Sequence, residues 1–448
     1  MQKKLLAVAV LATLSGAAVA QSANVTVYGR FKQNLEYLNM TGASNPAAGN
    51  AGAAGALNGP GTGNNDVKLS RMQQSSSLIG FRGTEDLGNG LRAEFQIETD
   101  AGGDEQNSGS GTFANRDTFI GIGSNTWGTV RMGHFDTYFT TAGRYYESAA
   151  SYGWSLMHDP LNMLNRSQSG VQTTFHSGNA IRYISPNWSG FQIVGQVSPN
   201  AFGQERKQAG SAVGGAFANS RQWMIDLSYA NGPLAAGLSY IRTANGVNSP
   251  ALYSITNGVL ALPGNTSGLN LSALTCAGPA ASGCFNNYSI SGGTRVGVSY
   301  IFGMGVRVGF IYDRLTDTAA AAPTAAAVLL GASQNHTRTA WALPISWKSG
   351  PHTVAGQYSR AGSTSGVANT VVAGVGTFGD TKSYSYSLAY DYAFSKRSSI
   401  GVQYSAIING DNASYDAWSR GIGSTSSAGA VAGGQDPKMF SVGLRHVF

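Results

Sequence analysis

The sequence predicts an all-β protein: a closed, sixteen-stranded antiparallel barrel that crosses a membrane, with short turns at one end and long loops at the other. Three observations carry this reading. Charge is scarce although no long apolar run is present, apolar residues recur at every second position, and connections alternate between short and long. Of the 448 residues, 42% are hydrophobic and only 11% charged, whereas ordinary globular chains carry roughly 25% charged residues. A spanning helix needs about 20 consecutive apolar residues. The closest candidate past the N-terminal segment, Ala319 to Ala332, contains Pro323 and reads as a loop.

The two ends of the chain are informative. Met1-Gln2-Lys3-Lys4 is basic, Leu5 to Leu14 is apolar, and Ala18-Val19-Ala20 supplies small residues before a cleavage point, the pattern of a secretory signal. Residues 1–20 are expected to be removed, leaving a barrel domain over 21–448 that begins at Gln21. Loss of Lys3 and Lys4 from the 29 basic residues leaves 27 against 22 acids, a net charge of +5. Export removes most cytoplasmic functions. At the other end Phe440, Val442, Leu444, His446 and Phe448 share one parity, so a strand with one apolar face closes the chain.

Period-two alternation marks half-buried strands, and it runs through the chain. The clearest case sets Tyr384, Tyr386, Leu388, Tyr390, Tyr392 and Phe394 against Ser385, Ser387, Ala389, Asp391 and Ala393. The pattern recurs at Trp223 to Tyr229, Val296 to Phe302, Val306 to Tyr312 and Ile400 to Ile408. Short turns are expected at Glu85 to Asn89, Ser124 to Gly128, Asn187 to Gly190, Asn231 to Pro233, Gly303 to Met304, Ser349 to Pro351 and Ser395 to Ser398. Long loops rich in Gly, Ser, Asn and Ala lie near 39–66, 101–115, 135–176, 199–219, 244–288, 316–335, 361–382 and 410–436. Seven short and eight long connections imply sixteen strands, and this asymmetry describes a bacterial outer-membrane barrel.

The physical reason is satisfaction of the backbone. In hydrocarbon every amide needs an internal partner, and a closed barrel leaves no edge. A soluble sandwich or solenoid is disfavoured, because the second parity is too polar to fill a large core. Tyr28, Trp127, Trp188, Tyr240, Trp347 and Tyr392 are candidates for interfacial girdles. Cys276 and Cys284 lie in a loop, where an oxidising compartment favours a disulfide, with two free thiols as the alternative. The six histidines show no metal-ligand spacing, so no metal or cofactor is expected. GVGTFG at Gly374 to Gly379 matches a dinucleotide loop by letter only, with no helix after it, and the dispersed basic residues do not predict nucleic-acid binding.

Several segments resemble the general diffusion porins of Gram-negative outer membranes, in particular the beta-proteobacterial trimeric type. They are VTVYGR at Val25 to Arg30, LIGFRGTEDLGNGLRAEFQIE at Leu78 to Glu98, NRDTFIGIGSNTWGTVRMGHFDT at Asn115 to Thr137, IRYISPNWSGF at Ile181 to Phe191 and SVGLRHVF at Ser441 to Phe448. The resemblance implies a homotrimer among outer-membrane lipid and lipopolysaccharide, with the third external loop, 135–176, folded inward. Two departures stand out. Leu78 takes the place where many relatives carry arginine, and the third loop lacks a Pro-Glu-Phe-Gly-like motif, leaving Glu147 and Asp159 as its acidic candidates.

If Phe81, Phe95 and Phe119 point outward, parity places Arg92, Glu94, Gln96 and Glu98 on the lumen side of one strand and Arg116 on that of the next. By the same rule Tyr28, Arg30, Lys32, Arg131 and Arg182 face the channel. Arg71 fails the test, sharing parity with Ile79 and Phe81, and is expected above the bilayer. A basic wall opposite acidic groups in a narrow water column focuses the field and enriches anions. The alternative is that these arginines pair with neighbours such as Glu94 and Glu98 and brace the wall. The expected function is a passive channel for ions and small hydrophilic solutes with weak anion preference. A substrate-specific channel is the nearest alternative. A barrel enzyme would need a rim constellation, for which His134 and His176 are the positions to test.

Overall fold

The computed structural model describes residues 24–42, 67–74, 77–102, 113–137, 177–199, 201, 221–245, 254–256, 259–261, 269–270, 288–320, 335–365, 381–411, 413, 415 and 434–448. Its main body is one antiparallel sheet that closes on itself. The strands are β1 (Asn24–Thr41), β2 in two segments (Val67–Gln74 and Leu78–Gly88), β3 (Leu91–Asp100), β4 (Thr118–Ser124), β5 (Gly128–Phe135), β6 (Ser177–Ile184), β7 (Phe191–Ser198) and β8 (Arg221–Asn231). They continue as β9 (Leu234–Asn245), β10 (Tyr288–Ile301), β11 (Val306–Ala320), β12 (Asn335–Ser349), β13 (His352–Ala361), β14 (Ser383–Ala393), β15 (Ser398–Asn409) and β16 (Asp436–Val447). A separate small sheet pairs Ser254–Thr256, Val259–Ala261 and Leu269–Asn270.

Both segments of β2 pair with β1, one with its upper and one with its lower half, so the barrel has sixteen strands as the alternation of turns and loops implies. Closure runs through β1 and β16, with Lys32 opposite Arg445 and Tyr37 opposite Phe440. At the seam Gly29 and Phe448 exchange both backbone hydrogen bonds, each 3.1 Å. Among the described strands of the barrel no edge is left to pair with lipid-dissolved chain, the condition a membrane imposes.

The joint in β2 has a local remedy. Where the ladder with β1 changes segment, the Ser77 hydroxyl accepts from the Lys32 amide at 2.9 Å and donates to the Lys32 carbonyl at 3.0 Å. One side chain thereby satisfies two backbone groups that would otherwise lie unpaired.

Alternation sorts the two faces. Val25, Val27, Phe31, Leu35, Ile120, Ile122, Tyr384 and Leu388 are exposed on the outer face, while Asn34, Glu36, Asp226, Arg295 and Asp313 are buried within. The interior is not wholly polar: Val194, Met224, Ile241 and Leu315 form an inward apolar cluster with Ile184 packed on it. Polar-parity reasoning did not anticipate that patch. The first short turn is also tighter than the sequence suggests, because β2 runs to Gly88 and the reversal is Asn89-Gly90, both with positive φ (51° and 76°). That pair is the favoured two-residue hairpin turn.

Strand length differs around the ring. β4 has 7 residues and β5, β6 and β7 have 8 each, whereas β10 has 14 and β11 and β12 have 15 each. One wall is therefore low and another, farther round the ring, tall.

Candidate functional site: the charged inner wall

The inner wall is built by register. Tyr28 on β1 lies opposite Gly80 on β2, which lies opposite Glu98 on β3. A Cβ on Gly80 would stand 2.5 Å from the Tyr28 ring. The missing side chain lets the ring lie across β2, so that the Tyr28 hydroxyl donates to Glu98 Oε1 at 2.8 Å. Tyr28 therefore faces inward and takes no part in an interfacial girdle. Arg82, also on β2, stacks over the same ring at 4.9 Å. Sequence reasoning passed over Arg82, although its parity with Gly80 marks it.

From Glu98 a chain of charges continues along β3. Arg116 Nε lies 3.4 Å from Glu98, and its Nη1 lies 2.9 Å from Asp100. Glu94 accepts from Arg131 Nε at 2.6 Å and has Arg92 Nε at 3.7 Å. Arg92 also donates to Thr129 and Asn125 near the short-turn end. Arg92, Arg116 and Arg131 thus sit beside Glu94, Glu98 and Asp100, the bracing arrangement that was the alternative to free steering charges.

The assumption about Phe119 needs correction. Phe119 lies opposite Gln96 and Gly133, while its neighbour Ile120 is 67% exposed on the outer face. Phe119 therefore points inward. Arg116 still reaches Glu98, but it precedes β4, and its own amide bonds the Glu98 carbonyl at 3.2 Å. Extending the strand parity back to residue 116 ignored the bend at Arg116 and Asp117, which precedes the strand.

Inward Phe119 and buried Phe135 form a stack with ring centroids 5.5 Å apart. Arg131 lies over Phe119 and Arg182 over Phe135, each at 4.3 Å. Arg182 and Arg131 are themselves opposite across β5 and β6. Arg182 donates to Gln196 at 2.8 Å and 2.6 Å, and to the Asp136 carbonyl. Farther round, Ser239 hydrogen-bonds buried Asp226.

Arg30 and Lys32 lie on the same inner parity of β1 as Tyr28, and Lys32 faces Arg445 across the seam. Leu78 stands opposite Arg30 and is buried, so an apolar group occupies the position flanking this basic cluster. Arg71 is a second correction. Its side chain points inward, with Nε 2.9 Å from fully buried Glu36, because inward parity is odd in the first segment of β2 and even in the second.

On the tall wall, Arg295 lies 2.8 Å and Arg338 3.6 Å from the two carboxylate oxygens of Asp313, and all three side chains are fully buried. Arg338 also lies 5.9 Å from the Tyr415 ring centre. Sequence reasoning did not single out these three groups, and nothing in their spacing announces a cluster. Among the described residues no group of His, Cys, Asp or Glu is placed to hold a metal. Glu147, Asp159, Cys276, Cys284, His176 and residues 1–20 lie outside the described residues.

A closed sheet that is apolar outside and charged inside defines a transmembrane β-barrel of channel type. Residues 7–412 match the family model described as Gram-negative porin, and the chain belongs to that family. It is 32% identical over 249 residues to an outer membrane porin protein of Bordetella pertussis, covering 54% of this chain and 59% of that protein. It is also 32% identical over 250 residues to outer membrane porin protein 32 of Delftia acidovorans, covering 55% and 62%. The matched stretch is thus little more than half of these relatives' lengths. Among solved structures, the anion-selective porin from Comamonas acidovorans superposes with a TM-score of 0.58 at 20% identity, over 95% of this chain and all of that one. OmpT of Vibrio cholerae gives 0.58 at 11% identity, over 96% and 98%. At such identities these two likenesses establish the barrel.

Proposed function

We propose that the chain is a passive, water-filled outer-membrane channel for ions and small hydrophilic solutes, with a weak preference for anions and no covalent chemistry of its own. The observation that carries the preference is the basic patch at the seam, where Arg30, Lys32 and Arg445 share the inner face of β1 and β16. The carboxylates of β3 are engaged by Arg92, Arg116 and Arg131, with Glu98 and Asp100 also acting on Arg30, so arginines outnumber acids along this stretch. A sixteen-stranded ring is wide enough to hold water where eight strands would be filled by side chains. Between low-dielectric walls a fixed excess of one sign raises the local concentration of the other.

The assembly we propose is a homotrimer, exported by removal of residues 1–20. The low wall supports this. A strand of eight residues is about 26 Å long and, tilted by about 45°, rises about 19 Å, short of the apolar band of about 25 Å. Its outer face carries Ile120, Ile122 and Met132, all exposed in the single chain. Neighbouring copies would cover that face where lipid fits poorly.

The test is recording in planar bilayers under a salt gradient. The zero-current potential is expected to report anions as the more permeant, and Arg116→Glu with Arg182→Glu is expected to move it toward cations. An unchanged potential in that double variant would remove those two arginines from the selectivity assignment, and absence of conductance would remove the channel.

A further inference from the structure

We propose that the outward face of β8 to β14, at the long-loop end, is a binding surface for the phosphate groups of the outer-leaflet lipids. This rests on the reading of the chain as an outer-membrane barrel and adds a partner to it. The observation is a set of arginines on the wrong parity for a channel. Arg242 on β9, Arg314 on β11 and Arg360 on β13 all stand on the outer face, and all are exposed. Among the described residues no Asp or Glu occupies the outward parity of β8 to β14. None of the three arginines forms an ion pair with a described residue.

A lipid-facing arginine is strongly disfavoured at the bilayer midplane and costs little near the interface. That difference fixes the height of these groups at the edge of the hydrocarbon. The neighbouring side chains agree. Arg242 lies opposite Trp223, Arg360 lies between Trp341 and Tyr384, and Arg314 is in line with Tyr240 through Thr294. Trp and Tyr with their polar tips mark the headgroup level. The arginines therefore stand in the aromatic band or at its outer margin, where headgroups lie.

The chemistry of the partner follows from charge and shape. Three guanidinium groups without acidic partners, spread along consecutive hairpins, match an array of dianionic phosphates, which guanidinium binds through paired hydrogen bonds. A zwitterionic headgroup offers no net charge to match. Because these arginines face outward, they are separate from the inner wall, and changing them leaves conduction intact. A lipid-binding defect can thus be told apart from failure of the channel itself.

The experiment uses the full-length channel, purified and placed in nanodiscs of phosphatidylcholine doped with diphosphoryl lipid A or, in parallel, with its enzymatically dephosphorylated form. Retention of each lipid per barrel is read by mass spectrometry after extraction with a neutral detergent. The parent protein is expected to retain the diphosphoryl form at several times the level of the dephosphorylated one. Arg242→Gln with Arg314→Gln and Arg360→Gln is expected to lose most of that difference while keeping single-channel conductance. The corresponding triple lysine variant, which keeps charge and tolerates the same backbone, is expected to restore part of it. Lys396→Gln with Arg397→Gln, in a short turn at the opposite end, is the control and is expected to behave as the parent. Equal retention of both lipids by the parent, or undiminished retention by the glutamine triple variant, would overturn the proposal.

Discussion

Tyr28 and Glu98 sit on strands that are not neighbours, yet the Tyr28 hydroxyl donates to the Glu98 carboxylate at 2.8 Å by passing over Gly80 on the strand between them. The contact ties three strands of the inner wall together on the channel side. It also fixes one oxygen of the carboxylate that faces Arg116 at 3.4 Å through its other oxygen.

Replacing Gly80 with valine should disrupt this more than replacing Tyr28 with phenylalanine. Tyr28→Phe removes one hydrogen bond to a charged group, about 1.5 to 3 kcal/mol. Gly80→Val places atoms within the Tyr28 ring and forces that ring away as well. Urea unfolding of the barrel in detergent micelles, followed by tryptophan fluorescence, should rank the midpoints as parent, Tyr28→Phe, then Gly80→Val.

The basic patch at the seam predicts a salt dependence. The Debye length falls from about 10 Å at 0.1 M to about 3 Å at 1 M, so fixed charge on the wall acts across less of the lumen as salt rises. The anion-to-cation permeability ratio should decline toward the ratio of bulk mobilities over that range. In Lys32→Gln with Arg445→Gln the ratio should begin lower and change less. Reversal potentials at several mean concentrations decide this.

Gly29 predicts a defect that its partner cannot rescue. A Cβ there would stand 2.6 Å from the Phe448 ring and also 2.6 Å from the Leu78 carbonyl oxygen. Phe448→Ala relieves only the first conflict. Gly29→Val should lower the fraction of barrel that resists unfolding in cold detergent on electrophoresis, and Gly29→Val with Phe448→Ala should remain low.

Asp313 predicts a large energetic effect from a small change. Its carboxylate serves both Arg295 and Arg338 in a fully buried setting, and removing one member of such a group costs about 3 to 5 kcal/mol. Asp313→Asn should therefore destabilise the barrel more than Arg92→Gln, which breaks a 3.7 Å ion contact and two hydrogen bonds of a more exposed side chain, the ion contact itself being worth about 1 kcal/mol or less. Equal unfolding midpoints for the two variants would contradict the assignment.

The barrel was legible because its rule is local. Alternation of Tyr384, Tyr386 and Leu388 with serine and alanine is visible in the letters, and those three side chains are exposed on the outer face. What escaped was decided at interruptions. Phe119 points inward and Arg116 reaches Glu98 from outside β4, since the chain bends at Arg116 and Asp117 before the strand begins. Arg71 meets Glu36 because the two halves of β2 count from different origins. Contacts across the lumen wall, such as Arg295 with Asp313 and Arg338, depend on register between strands, which single-strand parity does not specify. The inward Val194, Met224, Ile241 and Leu315 likewise become a cluster only when three hairpins are aligned.

The joint in β2 has a consequence for how this region tolerates change. Odd positions enter the lumen before it and even positions after it, because Gln33 pairs with Gln74 and Arg30 with Leu78, a span one residue longer on β2 than on β1. Substitutions that spare the Ser77 hydroxyl leave that spacing alone. Removing one residue there would even the two counts and let one unbroken ladder run past Lys32 with Arg71 still opposite Glu36, whereas adding one would demand either a second unpaired residue or a slip of the upstream segment that turns Arg71 into the oily exterior and strands Glu36 without its cation.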